Sequence, residues 1–300
     1  MDYLNFLSFS ICLLLISFQI SYSSVIKLKT SASSFGFDPT RVTQLSWTPR
    51  AFLYKRFLSD EECDHLINLA KGKLEKSRVV TDDGTGASAE SEERTSSGMF
   101  LSKRQDDIVA KVEARLAAWT FLPEENGEPL QILHYENGQK YEPHFDFYYD
   151  QETLKNGGHR FATVLMYLSN VTKGGETVFP MWEGKIHQLK DDSWTECAKQ
   201  GYAVKPRKGD ALLFFSLHLN ATTDPTSLHG SCPVIEGEKW SATRWIHVRS
   251  FGKRQSGCVD ENESCEIWAM EGECEKNPGY MVGSEKELGF CRKSCKACSA

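Results

Sequence analysis

Near residue 130 the hydrophobic period of the chain changes, and this limits the fold more than any other feature of its 300 residues. Before it, two segments carry apolar residues at helical spacing. One is 60–70, opened by acidic residues, with Cys63 expected as a buried thiol. The other is 107–122, with Ile108, Val109, Val112, Leu116 and Trp119 on one face. After it come short strand-like runs at 132–135, 141–148, 161–168, 177–179, 211–216 and 240–248, separated by Gly, Asn, Asp and Pro turns. Helices first and then strands without helical crossovers predict an α+β, mainly β chain built on an antiparallel sandwich or barrel. Between the two helices, 81–98 has no large apolar residue and reads as a mobile loop.

The cysteines set the compartment. Six of ten lie in the last 43 residues: Cys258, Cys265, Cys274, Cys291, Cys295 and Cys298. A segment this short buries little core, so disulfides are expected to staple it. Zinc is the rival, but the segment has no His and no second Cys-x-x-Cys. Its nine acidic and five basic residues give a net charge of −4, against −6 for the whole chain. No basic excess points to nucleic acid. At the other end, residues 4–20 are largely apolar and sit at the short limit for a membrane span. Residues 1–23 are therefore a signal peptide, cleaved near Ser21-Tyr22-Ser23, or an uncleaved anchor. A Ser/Thr-rich stem follows over 24–47. N-x-Ser/Thr sequons at Asn170, Asn220 and Asn262 agree with entry into the secretory pathway.

The chemistry centres on His144-Phe145-Asp146. Residues i and i+2 of a strand face the same side, so one imidazole and one carboxylate would project together. Such pairs also occur by chance on surfaces. Two His and one carboxylate on one face of an octahedron leave three open positions, the arrangement of non-haem Fe(II) oxygenases. His229 is favoured as the third ligand. His218 is its rival, but it adjoins the Asn220 sequon. Lys239 follows His229 by ten residues, on the next strand. A buried Lys needs an anion, and a metal-bound dicarboxylate would supply one. Cys197 and Cys232 flank these strands and could form a further bridge.

These residues fall into an ordered set of blocks. Tyr135-x-x-Gly138-x-x-Tyr141-x-x-His144-x-Asp146 comes first, then Gly174-Gly175-Glu176-Thr177-x-Phe179-Pro180, then His229 with Lys239 and Trp245. Over residues 48–251 the chain resembles the catalytic domain of prolyl 4-hydroxylases of the short plant type. Residues 258–298 resemble a ShK-toxin-like (ShKT) module through Cys258-x-Asp260, Cys265-x-x-Trp268-Ala269, Gly272-x-Cys274, Asn277-Pro278-x-Tyr280-Met281 and Cys295-x-x-Cys298. The stretch 281–291 is longer than usual in that module.

The resemblance implies a double-stranded β-helix, or jelly roll, flanked by N-terminal helices. It implies Fe(II) on His144, Asp146 and His229, and Lys239 paired with the distal carboxylate of 2-oxoglutarate. Tyr135 and Thr177 would add hydrogen bonds there, and Trp245 would pack against the co-substrate. Dioxygen would be consumed, with L-ascorbate keeping the iron reduced. The expected reaction is 4-hydroxylation of peptidyl proline coupled to decarboxylation of 2-oxoglutarate, a procollagen-proline 4-dioxygenase type of activity. Substrates would be proline-rich chains of the extensin, arabinogalactan or collagen-like kind, whose polyproline II form an aromatic groove can read. Tyr141, Phe145 and Tyr148 would line that groove, with Arg94, Ser96 and Arg160 touching the peptide and 81–98 closing over it. In the tail the implied pairs are Cys258–Cys298, Cys265–Cys291 and Cys274–Cys295. The expected location is the endoplasmic reticulum or Golgi, as a single-pass type II protein with a lumenal catalytic domain, or as a soluble lumenal or secreted form. Two readings compete: a hydroxylase of the same superfamily acting on lysine or a small molecule, and a catalytically dead binding protein displaying the ShKT module.

Overall fold

The computed structural model describes residues 37–80, 88–149, 151–154, 156–183, 187–251, 258–260, 264–283 and 289–298. The expected leader, most of the stem, the Asn262 sequon, the linker 252–257 and the core of the long 281–291 stretch lie outside the described residues.

The chain runs β1 (Val42–Trp47), β2 (Arg50–Tyr54), α1 (Asp60–Ala70), β3 (Glu75–Lys76), β4 (Arg78–Val80), β5 (Ser88–Glu90), β6 (Ser97–Phe100), α2 (Asp107–Thr120), β7 (Gln131–Tyr135), β8 (Tyr141–His144), β9 (Arg160–Tyr167), β10 (Lys173–Gly174), β11 (Thr177–Phe179), β12 (Tyr202–Val204), β13 (Ala211–Phe215), β14 (His229–Ser231), β15 (Val234–Glu236) and β16 (Lys239–His247). Both long helices begin where side chains satisfy their first N–H groups. Ser59 and Glu62 form a reciprocal capping box on α1, and Asp106 accepts from Ile108 and Val109 at the start of α2.

Eight strands form one antiparallel sheet in the order β1-β2-β13-β9-β16-β7-β6-β3, and four form a second, β12-β11-β14-β8. Side-chain alternation gives the large sheet two different faces. On β16, Trp240, Ala242 and Ile246 join the core that includes Leu66 of α1 and Val109, Val112 and Leu116 of α2. The intervening Lys239, Ser241, Thr243 and Trp245 face a cavity. On β9, Ala162, Val164 and Met166 face the helices, while Thr163 and Leu165 face the cavity. The small sheet lines the opposite side with Tyr141, His144, Thr177 and His229. The expected jelly-roll sandwich is thus present, and its cavity opens between the sheets.

Three expectations are corrected. The strand over 141–148 stops at His144, because the chain leaves the small sheet there and carries Asp146 across to Thr163 of β9. Val42–Trp47, placed in the stem by its composition, is the edge strand of the large sheet, paired with β2. Of the expected loop 81–98, residues 81–87 lie outside the described residues, and the rest is not wholly free: β5 pairs with β4, and β6 pairs with β3 and β7. Small residues hid these strands, and at Gly98 small size is required, since a Cβ would come 2.9 Å from the Ile132 carbonyl oxygen.

In the C-terminal segment, short helices at Cys265–Met270, Glu273–Lys276 and Pro278–Met281 surround a core of Cys265, Met281 and Cys291. All three pairings occur as the resemblance implied, which excludes zinc on these thiols. Cys197 and Cys232 form the further bridge, and Cys63 is a buried free thiol.

Candidate active site

His144 ends β8 and His229 begins β14, and the two are register partners across the ladder. Asp146 lies just beyond β8, with its carboxylate between them: Oδ1 is 3.6 Å from His144 Nε2, and Oδ2 is 3.6 Å from His229 Nε2. One ligand atom from each residue lies within 4.8 Å of the others. Each imidazole donates its Nδ1–H to a backbone carbonyl 2.9 Å away, His144 to Glu142 and His229 to Ser227. A carbonyl can only accept, so this fixes the tautomer and turns both Nε2 lone pairs toward the carboxylate. Burial, reinforced by His229, pushes His144 down to about 3, so its ring is neutral at physiological pH. Burial opposes ionisation of Asp146, but the flanking His229, together with Arg160 and the Thr163 hydroxyl, outweighs it and holds the carboxyl at about 2. Two oriented imidazoles and one buried carboxylate fit an Fe(II) ion with open positions. His218 is no ligand: it is half-exposed and faces Asp224.

Lys239 is 1% exposed and opens β16 at the inner end of the cavity. Its Nζ donates to Ser231 Oγ at 2.8 Å and lies 5.2 Å from the centre of the Tyr135 ring. Burial draws its pKa down to about 7, with Glu176 opposing. Thr177 stands beside it, its hydroxyl 2.8 Å from the Tyr167 hydroxyl. The turn before Thr177 requires glycine: Gly174 has φ +86°, and a Cβ there would meet the Pro233 carbonyl oxygen at 2.2 Å. Tyr135, Thr177, Lys239 and Trp245 therefore converge on the cavity that holds the metal-ligand set. A buried ammonium opposite a metal face is the donor set for a keto diacid.

Outside this cavity runs a groove of about 1130 Å³ that shares Arg94, Tyr141 and Trp245 with it. Tyr141 stacks on His144, with centroids 3.6 Å apart. Phe145 stacks on Phe147, and Tyr149 meets Phe147 edge-on. Arg94 is buried, donates to Gln131 Oε1 and the Arg78 carbonyl, and lies over the Tyr141 ring. Arg160 lies 3.9 Å from the centre of the Trp245 ring and pairs with Glu128. Ser96 is a correction. It is fully buried, donates to Ser77 Oγ and reaches Tyr135, so it supports the cavity wall and does not face the groove.

Sequence reasoning missed Thr163, Ser231, Tyr167 and Glu128. Thr163 donates to Asp146 Oδ2 at 2.5 Å, and Glu128 accepts from both Arg160 and His247. Glu128 is held at about 2 because Arg160 and His247 outweigh the cost of burial. A polar residue inside an apolar strand, as at Thr163 and Tyr167, was the one available signal.

The fold and site define a 2-oxoglutarate- and Fe(II)-dependent oxygenase, and the model of the 2OG-Fe(II) oxygenase superfamily matches residues 130–247, which carry the whole ligand set. The chain belongs to the prolyl 4-hydroxylase family. It is 74% identical to "Probable prolyl 4-hydroxylase 7" of Arabidopsis thaliana over all of both chains. It is 77% identical to "Probable prolyl 4-hydroxylase 6" over 99% of this chain and all of that one. "Prolyl 4-hydroxylase 2" of the same plant is 58% identical over 89% and 91%. Among solved structures, the viral collagen prolyl hydroxylase of Paramecium bursaria Chlorella virus-1, in its 2OG complex, matches at 26% identity with a TM-score of 0.48, over 65% of this chain and 94% of that one.

Proposed function

We propose that this protein 4-hydroxylates peptidyl proline, with dioxygen and 2-oxoglutarate consumed and succinate and carbon dioxide released. One oxygen atom enters the proline ring and the other enters succinate, so the balance closes without a further reductant. The observation that carries the reading is the convergence of His144, Asp146, His229 and Lys239 on one cavity beside an aromatic groove.

Fe(II), when bound by the three ligands, supplies the dioxygen chemistry that side chains cannot perform. The chain's own residues do the rest. Lys239 and Ser231 hold the distal carboxylate of the keto diacid, Thr177 and Tyr135 close that end, and Thr163 keeps the Asp146 carboxylate turned to the metal. Tyr141, Trp245 and Phe214 wall the reacting centre and exclude water. A polyproline II chain makes no internal hydrogen bonds, so its rings are free to pack on Tyr141, Phe145, Phe147, Tyr149 and Trp245 while Arg94 and Arg160 reach its carbonyls. Hydroxyproline-rich glycoproteins of the extensin or arabinogalactan kind, or collagen-like chains, present that form. The relatives named above as prolyl 4-hydroxylases support this substrate class.

L-Ascorbate is proposed to return oxidised iron to Fe(II) after uncoupled turnovers. The four disulfides fit an oxidising compartment. We place the enzyme in the endoplasmic reticulum or Golgi with its catalytic domain lumenal, anchored through residues 4–20 and glycosylated at exposed Asn170 and Asn220 and at Asn262. The C-terminal segment is proposed to be a ShKT module with an accessory role. With a proline-rich peptide, Fe(II), 2-oxoglutarate and ascorbate, the protein is expected to release succinate and form 4-hydroxyproline one for one. His144→Ala is expected to abolish both, whereas removal of residues 258–300 is expected to leave much of the turnover. Peptide-independent decarboxylation without hydroxyproline would contradict the assignment.

A further inference from the structure

Phe251 is the last described residue before the linker 252–257. It lines neither the cavity nor the groove described above. Its ring stacks on the imidazole of His247, with centroids 4.6 Å apart and planes inclined by 30°. Its backbone N–H donates to the Glu125 carbonyl at 3.0 Å, and Lys103 Nζ donates to its own carbonyl at 3.3 Å. The ring is thus held in place from the backbone. His247 is 1% exposed. Its Nδ1 lies 2.8 Å from the Gly158 carbonyl oxygen, and its Nε2 lies 2.9 Å from Glu128 Oε1. Both edges of the imidazole are engaged, so its position depends further on what covers its faces. Gly157 packs closely there, since a Cβ would come 3.0 Å from His247 Cγ. The Tyr148 ring is 6.2 Å away, so Phe251 gives the nearer aromatic cover. The same Glu128 carboxylate accepts from Arg160 Nε at 2.6 Å and Nη2 at 3.2 Å. Arg160 lies against the Trp245 ring, and both line the groove. Direct contacts therefore run from Phe251 through His247 and Glu128 to Arg160.

We propose that Phe251 is a positioning residue for peptide binding: its ring holds His247 in place, His247 orients Glu128, and Glu128 sets the Arg160 guanidinium against the peptide. The inference rests on the peptidyl-proline reading above. Buried charged groups tolerate little displacement, because a lost partner leaves a charge both desolvated and uncompensated. Removing the ring of Phe251 frees one face of His247, and the shift reaches Arg160 through a carboxylate that both residues share. None of these contacts involves Lys239 or the metal ligands, so the effect falls on the peptide and spares the keto diacid. The linker continues from Phe251, so the C-terminal segment joins the catalytic domain at a support of the groove.

The test uses the full chain with Fe(II), 2-oxoglutarate and a proline-rich peptide, and compares wild type with Phe251→Ala, Phe251→Leu and Phe251→Tyr. Phe251→Ala is expected to raise the Michaelis constant for the peptide at least about threefold, the loss of one aromatic stack. Its kcat and its Michaelis constant for 2-oxoglutarate are expected to stay within about twofold of wild type. Phe251→Leu keeps the bulk without the flat face, and it is expected to show the same rise even if the alanine variant is too unstable to assay. Phe251→Tyr keeps the face and is expected to match wild type. Glu128→Gln combined with Phe251→Leu is expected to resemble Glu128→Gln alone, because both act through one set of contacts. A rise of less than about threefold in the leucine variant overturns the proposal. So does a tyrosine variant as weak as the leucine one. Equal rises for peptide and 2-oxoglutarate overturn it as general loosening, and multiplied effects in the double variant overturn it as an independent role. A wild type that decarboxylates 2-oxoglutarate but hydroxylates no proline-rich peptide would instead remove the reading on which the inference rests.

Discussion

His229 and His144 stand directly opposite each other across the β14–β8 ladder, and their rings lie 4.4 Å apart. The metal site is therefore as sound as that strand pairing. Gly230 lets the strands approach, since a Cβ there would come 2.9 Å from the Tyr141 carbonyl oxygen. Beyond it, Ser231 holds Lys239, and Cys232 fastens the strand end to Cys197 in the short helix Glu196–Lys199. One three-residue strand thus carries the proposed metal ligand His229, the hydrogen-bond partner of Lys239 and the approach to a disulfide.

Replacing both Cys197 and Cys232 by serine should lower stability by about 3–4 kcal/mol, the loop-closure value for a bridge of this span. Denaturant unfolding under non-reducing conditions measures it. Affinity for 2-oxoglutarate should fall in step, because Ser231 adjoins the lost bridge. An unchanged midpoint would mean that the ladder holds β14 without help.

Thr163→Val keeps the shape of the side chain and removes the hydroxyl that orients Asp146. Partners of metal ligands typically contribute 10–100-fold in affinity. Mn(II) affinity should accordingly drop about tenfold or more, with the fold intact by circular dichroism.

Lys239 predicts a pH dependence for co-substrate binding. Burial lowers its pKa to about 7, so the free protein carries the ammonium below that pH and loses it above. A dianionic ligand prefers the ammonium. Affinity for 2-oxoglutarate should be highest below about pH 7 and fall by up to about tenfold per unit above it, with proton uptake on binding. Lys239→Arg stays charged throughout and should flatten the profile even if it binds more weakly. Calorimetry in buffers of different ionisation enthalpy reads both effects. A flat wild-type profile up to about pH 9 would contradict the role given to burial here.

Much of this was legible in the sequence because the relevant patterns are local. The periods of 60–70 and 107–122 mark the helices Asp60–Ala70 and Asp107–Thr120, and the apolar runs at 132–135, 161–168 and 240–248 mark, to within a residue, the three strands that floor the cavity. His144, Asp146 and His229 were legible because those residue types at those places do little else. Contacts across the fold were not. Nothing near Thr163 in sequence says that a residue 17 positions away will curl back to it, and nothing in Glu128 names His247 as its partner. The strands β4 to β6 were hard to see because each is only three or four residues long and interleaves Ser, Gly, Glu and Arg with its few apolar residues, so no clear period shows. Ser96 was assigned to the peptide by the family pattern, and its burial moves it behind Tyr135.

Glu128 acts on the groove through Arg160, which lines it. Its carboxylate holds Arg160, which lies over Trp245, so its effect should fall on the peptide and not on the keto diacid. Glu128→Gln removes one charge of a buried set and leaves Arg160 uncompensated. The Michaelis constant for a proline-rich peptide should rise about tenfold while that for 2-oxoglutarate stays within about twofold. Equal rises for both would place Arg160 in the co-substrate site.

The central claim is that one metal ion sits among His144, Asp146 and His229 with a keto diacid chelated to it and gripped by Lys239. The most direct measurement is an anaerobic titration of the metal-free full chain with Fe(II), then with 2-oxoglutarate, following the visible charge-transfer absorption that a chelated 2-keto acid gives on Fe(II). The account predicts one Fe(II) per chain and a 2-oxoglutarate-dependent band in wild type. In Lys239→Ala the band should appear only at much higher 2-oxoglutarate, and in Asp146→Ala or His229→Ala it should be absent with the iron bound weakly. A full-strength band in the Asp146 or His229 variant, at wild-type iron affinity, would contradict it.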